Sequence, residues 1–298
     1  MRARVIANFG TTLTVKTDDQ HLLRCNNRRK HGLVVCGDWI EIELQNENTH
    51  IAVVTSITDR TSALARPDRK QQLKPLAANF DQLIIVTAPK PEPDRRLIDA
   101  YLVYAAHINV EAVIAINKSD LIDTFDKREW FNEIQSCYES LGYTVIYNCC
   151  KTPDGSDRLS KQFTGHTSIL VGQSGVGKSS ILKTLLPQKD IQTEVISKIS
   201  GLGKHTTTTT ILYELPQQGE LIDSPGVREF SVGHLETDII RAGFIEFRNL
   251  ENDCKFNNCS HIHEPGCAVL KAVEKGTINP GRWESYKILI DSYQQPAY

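Results

Sequence analysis

The apolar positions of this chain change their period twice. From Met1 to about residue 60, short runs rich in β-branched residues (VIANFGTTLTVKT, HLLRCN, HGLVVCGDWIEIEL and HIAVVTSITDR) are separated by Gly, Asn and Asp, the pattern of strands and tight turns. Five or so strands in so short a stretch predict a small barrel, for which the OB-fold is the usual nucleic-acid-binding form. From Phe80 the pattern becomes one of buried strands and amphipathic helices. DQLIIVTA, EAVIAI, YTVIYN and TSILVG read as strands, and DRRLIDAYLVYAAHI, REWFNEIQSCYESLG and KSSILKTLL have helical spacing. TTTILYEL and GELID add two more strands. Strands alternating with helices predict a parallel, doubly wound α/β sheet. Beyond Gly226 the chain turns helical and rich in Cys and His. The division expected is a barrel over 1–65, an α/β domain over 66–229 and a helical domain over 230–298.

Composition narrows the class. The chain has 298 residues, 40% hydrophobic and 23% charged, which is ordinary globular usage and excludes collagen-like or wholly disordered chains. No apolar stretch approaches the ~18 residues that span a bilayer, and MRARVIANFG lacks a secretory core, so a cytoplasmic protein without membrane contact is expected. A net charge of −2 argues against a uniform nucleic-acid coat. Any such surface must be local, and Arg2, Arg4, Lys16, Arg24, Arg28, Arg29 and Lys30 against Asp18 and Asp19 mark either that surface or a solvated face. Arg66, Arg69, Lys70 and Lys74 lie in a polar, Pro-containing stretch that reads as a linker. The eight cysteines do not suggest a disulfide framework in a chain of this kind.

Three motifs carry nucleotide chemistry. Gly172-Gln173-Ser174-Gly175-Val176-Gly177-Lys178-Ser179, followed by Ser180, fits G-x-x-x-x-G-K-[ST] between a predicted strand and a predicted helix. Its backbone N–H groups would turn around phosphate oxygens, Lys178 would reach the β- and γ-phosphates, and Ser179 would ligate Mg²⁺. Asp223-Ser224-Pro225-Gly226 closes a strand as a D-x-x-G element does. There Asp223 would hold Mg²⁺ through water and the Gly226 amide would sense the γ-phosphate. Asn117-Lys118-Ser119-Asp120 follows the strand AVIAI. The Asp120 carboxylate can accept from both N1–H and N2–H₂ of guanine, a donor pair that adenine lacks. Lys118 would stack along the base, and Asn117 would tie it to the protein. GTP is therefore expected above ATP.

The order of these motifs is unusual. N-K-x-D precedes the P-loop, and D-x-x-G follows it, as in a circularly permuted GTPase domain. The chain then runs from the γ-phosphate side directly into the tail, so nucleotide state could be passed to it. That tail contains Cys254-x₄-Cys259-x-His261-x₅-Cys267, three thiolates and an imidazole suited to a closed, structural Zn²⁺ site. His263 is a substitute for His261. Cys25, Cys36, Cys137, Cys149 and Cys150 read as core or strand residues.

Taken together, the barrel, the motif order and the C-x₄-C-x-H-x₅-C cluster resemble, over essentially the whole chain, the bacterial small-ribosomal-subunit-dependent GTPase A (RsgA) family. The resemblance implies a GTPase that binds the small ribosomal subunit and its rRNA late in maturation and helps release assembly factors. Its nucleotide residues carry over to Asn117 through Asp120 and Gly172 through Ser180, and its zinc ligands to Cys254, Cys259, His261 and Cys267. One departure stands out, because Asn148-Cys149-Cys150-Lys151 replaces the usual Ser-Ala-type guanine loop. Val227 occupies the place where Ras-like enzymes carry the water-orienting Gln. The replacement expected is His205, in the loop Gly201-Leu202-Gly203-Lys204-His205-Thr206-Thr207, a place where the family also carries a candidate His. One of Thr206, Thr207 or Thr208 would complete the Mg²⁺ shell, Thr207 being the candidate. Hydrolysis is expected to be slow alone and stimulated by the small subunit, and the protein to be a monomer.

Overall fold

Strand β1 (Arg2–Asn8) belongs to two sheets at once. It runs beside β2 (Thr12–Thr17) and β4 (Trp39–Asn46), and at Ala7 it also meets Ile211 of the nucleotide-type sheet. The computed structural model describes residues 1–27, 32–46, 49–68, 72–200, 209–216, 218–224 and 235–294. With β3 (Leu22–Asn26) and β5 (Thr49–Ile57), these strands close in the order β1-β2-β3-β5-β4 and back to β1. Alternate residues point inward. Ala3, Val5, Leu13, Val15, Cys25, Ile40 and Ile42 fill a core that the barrel keeps to itself.

The basic run of the barrel is less free than its charge count suggests. Arg4 is 9% exposed, donates to the Asn79 carbonyl and faces Glu220, and Lys16 is paired with Glu214. Arg2 lies over the Trp39 ring, 4.1 Å from its centroid. Arg28, Arg29 and Lys30 lie outside the described residues. Where a linker was expected, β6 (Ala63–Pro67) and β7 (Leu73–Ala78) form an antiparallel hairpin. Its polar middle carries the Lys74–Asp68 ion pair, but Leu64, Ala77 and Ala78 at its base are fully buried. Those apolar ends, rather than the polar middle, decide the structure.

The second sheet has the order β10-β9-β8-β11-β13-β12. Strands β8 (Gln82–Thr87), β9 (Glu111–Ile116), β10 (Thr144–Tyr147), β11 (Thr167–Val171) and β13 (Gly219–Asp223) are parallel. Strand β12 (Ile211–Leu215) is antiparallel to β13. The connection from Leu215 to Gly219 is too short for the crossover that a parallel pair needs. Helices α1 (Arg95–His107), α2 (Arg128–Ser140), α3 (Asp157–Gln162) and α4 (Lys178–Leu185) connect the strands. A further helix, α5 (Lys189–Ser200), follows α4; the apolar pattern had not indicated it. The tail forms α6 (Thr237–Gly243), α7 (Ala268–Glu274) and α8 (Pro280–Gln294).

The tail shares its core with the α/β sheet. Phe244, Phe247, Tyr286 and Leu289 belong to the same buried cluster as Tyr101 and Val103 of α1. Gly243 makes this approach possible, since a Cβ there would stand 2.7 Å from the Val103 Cα. At the centre lies Arg282, 1% exposed. It donates to Asp99 at 2.6 Å and, through two nitrogens, to Glu246 at 2.8 Å each. Its guanidinium stacks 4.5 Å from the Phe244 ring centroid, and Tyr138 also donates to Asp99. Burial works against the charge of Arg282, but the Asp99 and Glu246 carboxylates outweigh it and hold its pKa above the usual value. Removing one partner of such a pair leaves a buried charge uncompensated, which costs about 3–5 kcal/mol. Arg282→Ala should therefore lower the midpoint of denaturant unfolding by an amount corresponding to several kcal/mol. A shift no larger than that of an exposed Arg→Ala control would show that the network is not a structural lock.

Candidate guanine-nucleotide site and metal centre

Parallel strands bring their carboxyl ends to one edge, and the site forms where the connections diverge. Here β8 leads through α1 to β9 on one side, whereas β11 lies on the other side of β8. The P-loop follows β11 at this point. Gly172 has φ +133°, and a Cβ there would stand 2.1 Å from the Val86 carbonyl oxygen. Gly177, at φ +99°, comes so close to Asn117 that a Cβ would stand 2.3 Å from its Nδ2. Only glycine fits both positions. Lys178 opens α4 and donates back to the carbonyls of Gly172 (2.5 Å) and Gln173 (2.8 Å). Val176 is buried, Gln173 is half-buried, and Ser174, Gly175, Ser179 and Ser180 are exposed.

The N-K-x-D segment is bonded directly to this loop. The Asn117 amide donates to the Val176 carbonyl at 2.8 Å, and its Oδ1 accepts from Asn148 Nδ2 at 2.7 Å. Lys118 adopts a left-handed backbone at φ 55° and donates to the Gly175 carbonyl at 2.6 Å. Ser119 N–H donates to the Asn148 carbonyl at 3.1 Å. Asp120 accepts from Lys151 at 2.7 Å and from the Cys149 thiol at 3.4 Å. The Lys151 bond holds the Asp120 carboxyl below the ordinary carboxylate range, so Asp120 is a charged acceptor at neutral pH. The segment that departs from a Ser-Ala loop is thus wired to the N-K-x-D motif through Asn148, Cys149 and Lys151. Sequence reasoning had left their contacts open, because nothing in residue type announces them.

Asp223 ends β13, and its Oδ2 accepts from Lys189 Nζ at 2.7 Å. Asp223 already holds a cationic group, and the Ser179 hydroxyl is exposed at the start of the P-loop helix. Carboxylate and hydroxyl oxygens suit a hard divalent cation, so these residues fit Mg²⁺. Ser224 accepts from Thr210 at 2.9 Å. Gly226, Val227, His205, Thr206, Thr207 and Thr208 lie outside the described residues.

The four tail ligands converge. The Sγ atoms of Cys254, Cys259 and Cys267 and a ring nitrogen of His261 all lie within 4.8 Å of one another. Cys254 Sγ to Cys267 Sγ is 4.0 Å, and His261 Nδ1 is 3.7 and 3.5 Å from them. Tetrahedral Zn²⁺ with bonds of ~2.3 Å to sulfur and ~2.0 Å to nitrogen requires ligand separations of roughly 3.5–3.8 Å. The cluster therefore fits zinc. His263, the alternative ligand, is exposed and outside the cluster. Backbone N–H groups of Ala268 and Leu270, at the start of α7, point at Cys254 Sγ and Cys267 Sγ at 3.3 and 3.4 Å, as suits thiolates. Burial pushes the Cys259 thiol up to about 12, so a cation must compensate its thiolate.

The surrounding shell was not foreseen from sequence. Trp283 and Tyr286 of α8 donate to the carbonyls of His261 (2.8 Å) and Ser260 (2.7 Å). Glu264 accepts from the backbone N–H groups of Ser260, Ile262 and His263. Burial pushes the Glu264 carboxyl up, but these bonds, with that of the Ser260 hydroxyl, bring it down to about 2.

A barrel, an N-K-x-D motif ahead of the P-loop and a helical Cys₃His tail define a circularly permuted GTPase. The family model described as RsgA GTPase matches residues 57–233, and the chain belongs to that family. It is 43% identical to the small ribosomal subunit biogenesis GTPase RsgA of Photorhabdus laumondii, over 98% of this chain and 84% of that protein. It is equally identical to the protein of that name from Pseudomonas syringae pv. tomato, over 99% and 86%. Among solved structures, YjeQ from Thermotoga maritima superposes with a TM-score of 0.79 at 30% identity, covering 99% of each chain. YloQ, described as a circularly permuted GTPase, gives 0.77 at 25% identity, covering 100% of this chain and 96% of that one. The chain is accordingly a GTP hydrolase.

Two outcomes test the site. Asp120→Asn replaces the carboxylate acceptor by an amide that can donate to the xanthine 2-oxo group, so competition binding should show preference moving from guanine toward xanthine nucleotides. Unchanged selectivity would remove Asp120 from base reading. Freshly purified protein should carry one Zn²⁺ per chain by elemental analysis, and Cys267→Ala should lose metal and loosen the tail to proteolysis. Zinc-free wild type would end the assignment.

Proposed function

We propose that this chain is a GTPase of small-ribosomal-subunit biogenesis, which binds the maturing subunit and its rRNA and uses GTP hydrolysis to leave it and to help release assembly factors. The observation that carries the reading is the bonded unit of P-loop, N-K-x-D and Asn148–Lys151, joined to a tail that shares its core. The names of its relatives supply the substrate particle. In this reading Gly172 to Ser180 cradle the phosphates, with Lys178 on the β- and γ-phosphates, and Asn117, Lys118, Ser119 and Asp120 select guanine. Ser179, Thr207 and Asp223 would hold Mg²⁺, which would supply positive charge against the charge that develops on the phosphates. Gly226 senses the γ-phosphate. Cys254, Cys259, His261 and Cys267 hold a structural Zn²⁺ that keeps the tail in shape against the particle. In this reading the protein works as a cytoplasmic monomer, where the ribosomal particles named for its relatives are assembled.

With Val227 after D-x-x-G, the attacking water needs another partner, and His205 is assigned that role. Purified small subunits should raise GTP turnover well above the intrinsic rate, whereas large subunits should not. His205→Ala should cut the stimulated kcat on the order of 10²-fold while leaving GTP affinity and subunit binding largely intact. Equal turnover with and without small subunits would refute the stimulated-GTPase reading, and full stimulated turnover in His205→Ala would make that histidine a bystander.

A further inference from the structure

Lys189 has no place in the nucleotide motifs, yet its ammonium lies 2.7 Å from Oδ2 of Asp223. Both side chains are about two-thirds covered, at 32% and 37% exposure. The ammonium also faces the ring of the buried Tyr213, 5.3 Å from its centroid. We propose that Lys189 is a built-in counter-cation of the magnesium site, which competes with Mg²⁺ for Asp223 and ties the grip of helix α5 to the occupancy of that site. The inference rests on the reading of Asp223 as a magnesium residue.

The competition follows from charge. Asp223 offers one carboxylate, and Lys189 satisfies it with a direct charge-assisted bond. Mg²⁺ carries two charges and parts with its waters reluctantly. It would take the same carboxylate and repel an ammonium held against it. Lys189 must then swing away, and the Mg²⁺ affinity of the nucleotide complex falls by the strength of the bond broken.

The relay follows from where Lys189 sits. It is the first residue of α5, and each later turn of that helix is fastened to something else. Thr193 shares a hydrogen bond of 3.1 Å with the Tyr213 hydroxyl, and Gln192 donates to the Glu214 carbonyl at 3.3 Å. Further along, the Ile196 carbonyl accepts from Thr14 of barrel strand β2 at 3.5 Å, and the Ile196 side chain is buried. Helix α5 is therefore a strut with the Asp223 ion pair at one end and the barrel at the other. Its flank leaves an apolar groove of about 310 Å³ between helix and barrel, lined by Leu22, Ile191, Val195 and Leu212 among others. The helix has room to shift there once its first turn is released.

The test is a magnesium titration of N-methylanthraniloyl-GDP dissociation from the full chain, for wild type, Lys189→Ala, Lys189→Gln and Lys189→Arg. Partly exposed ion pairs are worth up to about 1 kcal/mol. The Mg²⁺ concentration that half-slows dissociation should therefore fall roughly two- to fivefold in Lys189→Ala and Lys189→Gln. Lys189→Arg should restore it, and high salt should shrink the difference. Hydrogen exchange should show α5 amides opening faster in Lys189→Ala, with the Mg²⁺-dependent change seen in wild type lost. A half-slowing concentration that stays the same or rises would overturn the competition. Weaker nucleotide binding in EDTA, with that concentration unshifted, would instead make Lys189 a phosphate ligand and overturn it too. Unchanged α5 exchange would remove the relay. Asp223→Ala separates the two levels. If Mg²⁺ dependence survives that change, the magnesium reading fails; if it disappears while Lys189→Ala shifts nothing, only this inference fails.

Discussion

The hydrogen bond from the Asn117 amide to the Val176 carbonyl, 2.8 Å long, is the contact on which the site depends. Permutation puts N-K-x-D upstream of the P-loop, on strands separated in space by β8. Nothing local in the chain forces these two segments into register. Asn117 does so by donating to the P-loop and accepting from Asn148, so that one buried side chain spans three loops. Gly177 is the complement of this arrangement, since any Cβ would displace the amide that makes the bond. Lys118 repeats the tie at Gly175. The N-K-x-D segment and the P-loop are thus spaced by the protein itself, which is how a rigid scaffold gains affinity without spending it on ordering the loops.

A second consequence concerns the tail. Helix α1 carries Asp99, which holds the buried Arg282, and Tyr101, which lies in one buried cluster with Val171 and Val176 at the P-loop. The same α8 that supplies Arg282 also clamps the Cys₃His loop through Trp283 and Tyr286. A continuous chain of buried contacts therefore joins the phosphate cradle to the metal cluster. This packing explains why the tail is not a loosely tethered appendage. The barrel is attached differently. It keeps its own core, and it meets the α/β sheet through the Ala7–Ile211 pairing, Arg4 and helix α5.

Much of this was legible in the chain because the signals were periodic or stereochemically strict. Buried parallel strands such as Leu83–Val86 and Val113–Ile116 must be continuous apolar runs, and P-loop glycines must lie where a Cβ would collide. Three thiols and an imidazole at close spacing have few other uses in such a chain. The hairpin over Ala63–Ala78 was hidden because its exposed middle dominates a composition window. Helix α5 was hidden because its outward positions include Ile191 and Val195, which are 59% and 42% exposed and blur its amphipathic stripe. Lys151, Lys189 and Glu264 were hidden for another reason. A lysine or glutamate in a surface segment is ordinary, and only the folded geometry shows which carboxylate or backbone group it meets.

Three lysines around the site share a property that bears on how binding works. Lys178 donates to P-loop carbonyls, Lys151 to Asp120 and Lys189 to Asp223. A triphosphate would take over Lys178 itself, whereas a guanine edge and a magnesium ion would take over Asp120 and Asp223. Binding at such a site is an exchange of hydrogen bonds, and the net gain of an exchanged bond is far smaller than its gross strength. The arrangement spares the protein buried or clustered charges of one sign. It also makes each ligand contact a small difference between two satisfied states. A molecule built from small differences changes state when any one of them shifts by a kcal/mol or so, the scale on which a partner surface acts. In a GTPase, balance of that kind leaves room for control, because a site that bound its ligands with full gross strength would leave a partner surface nothing to decide.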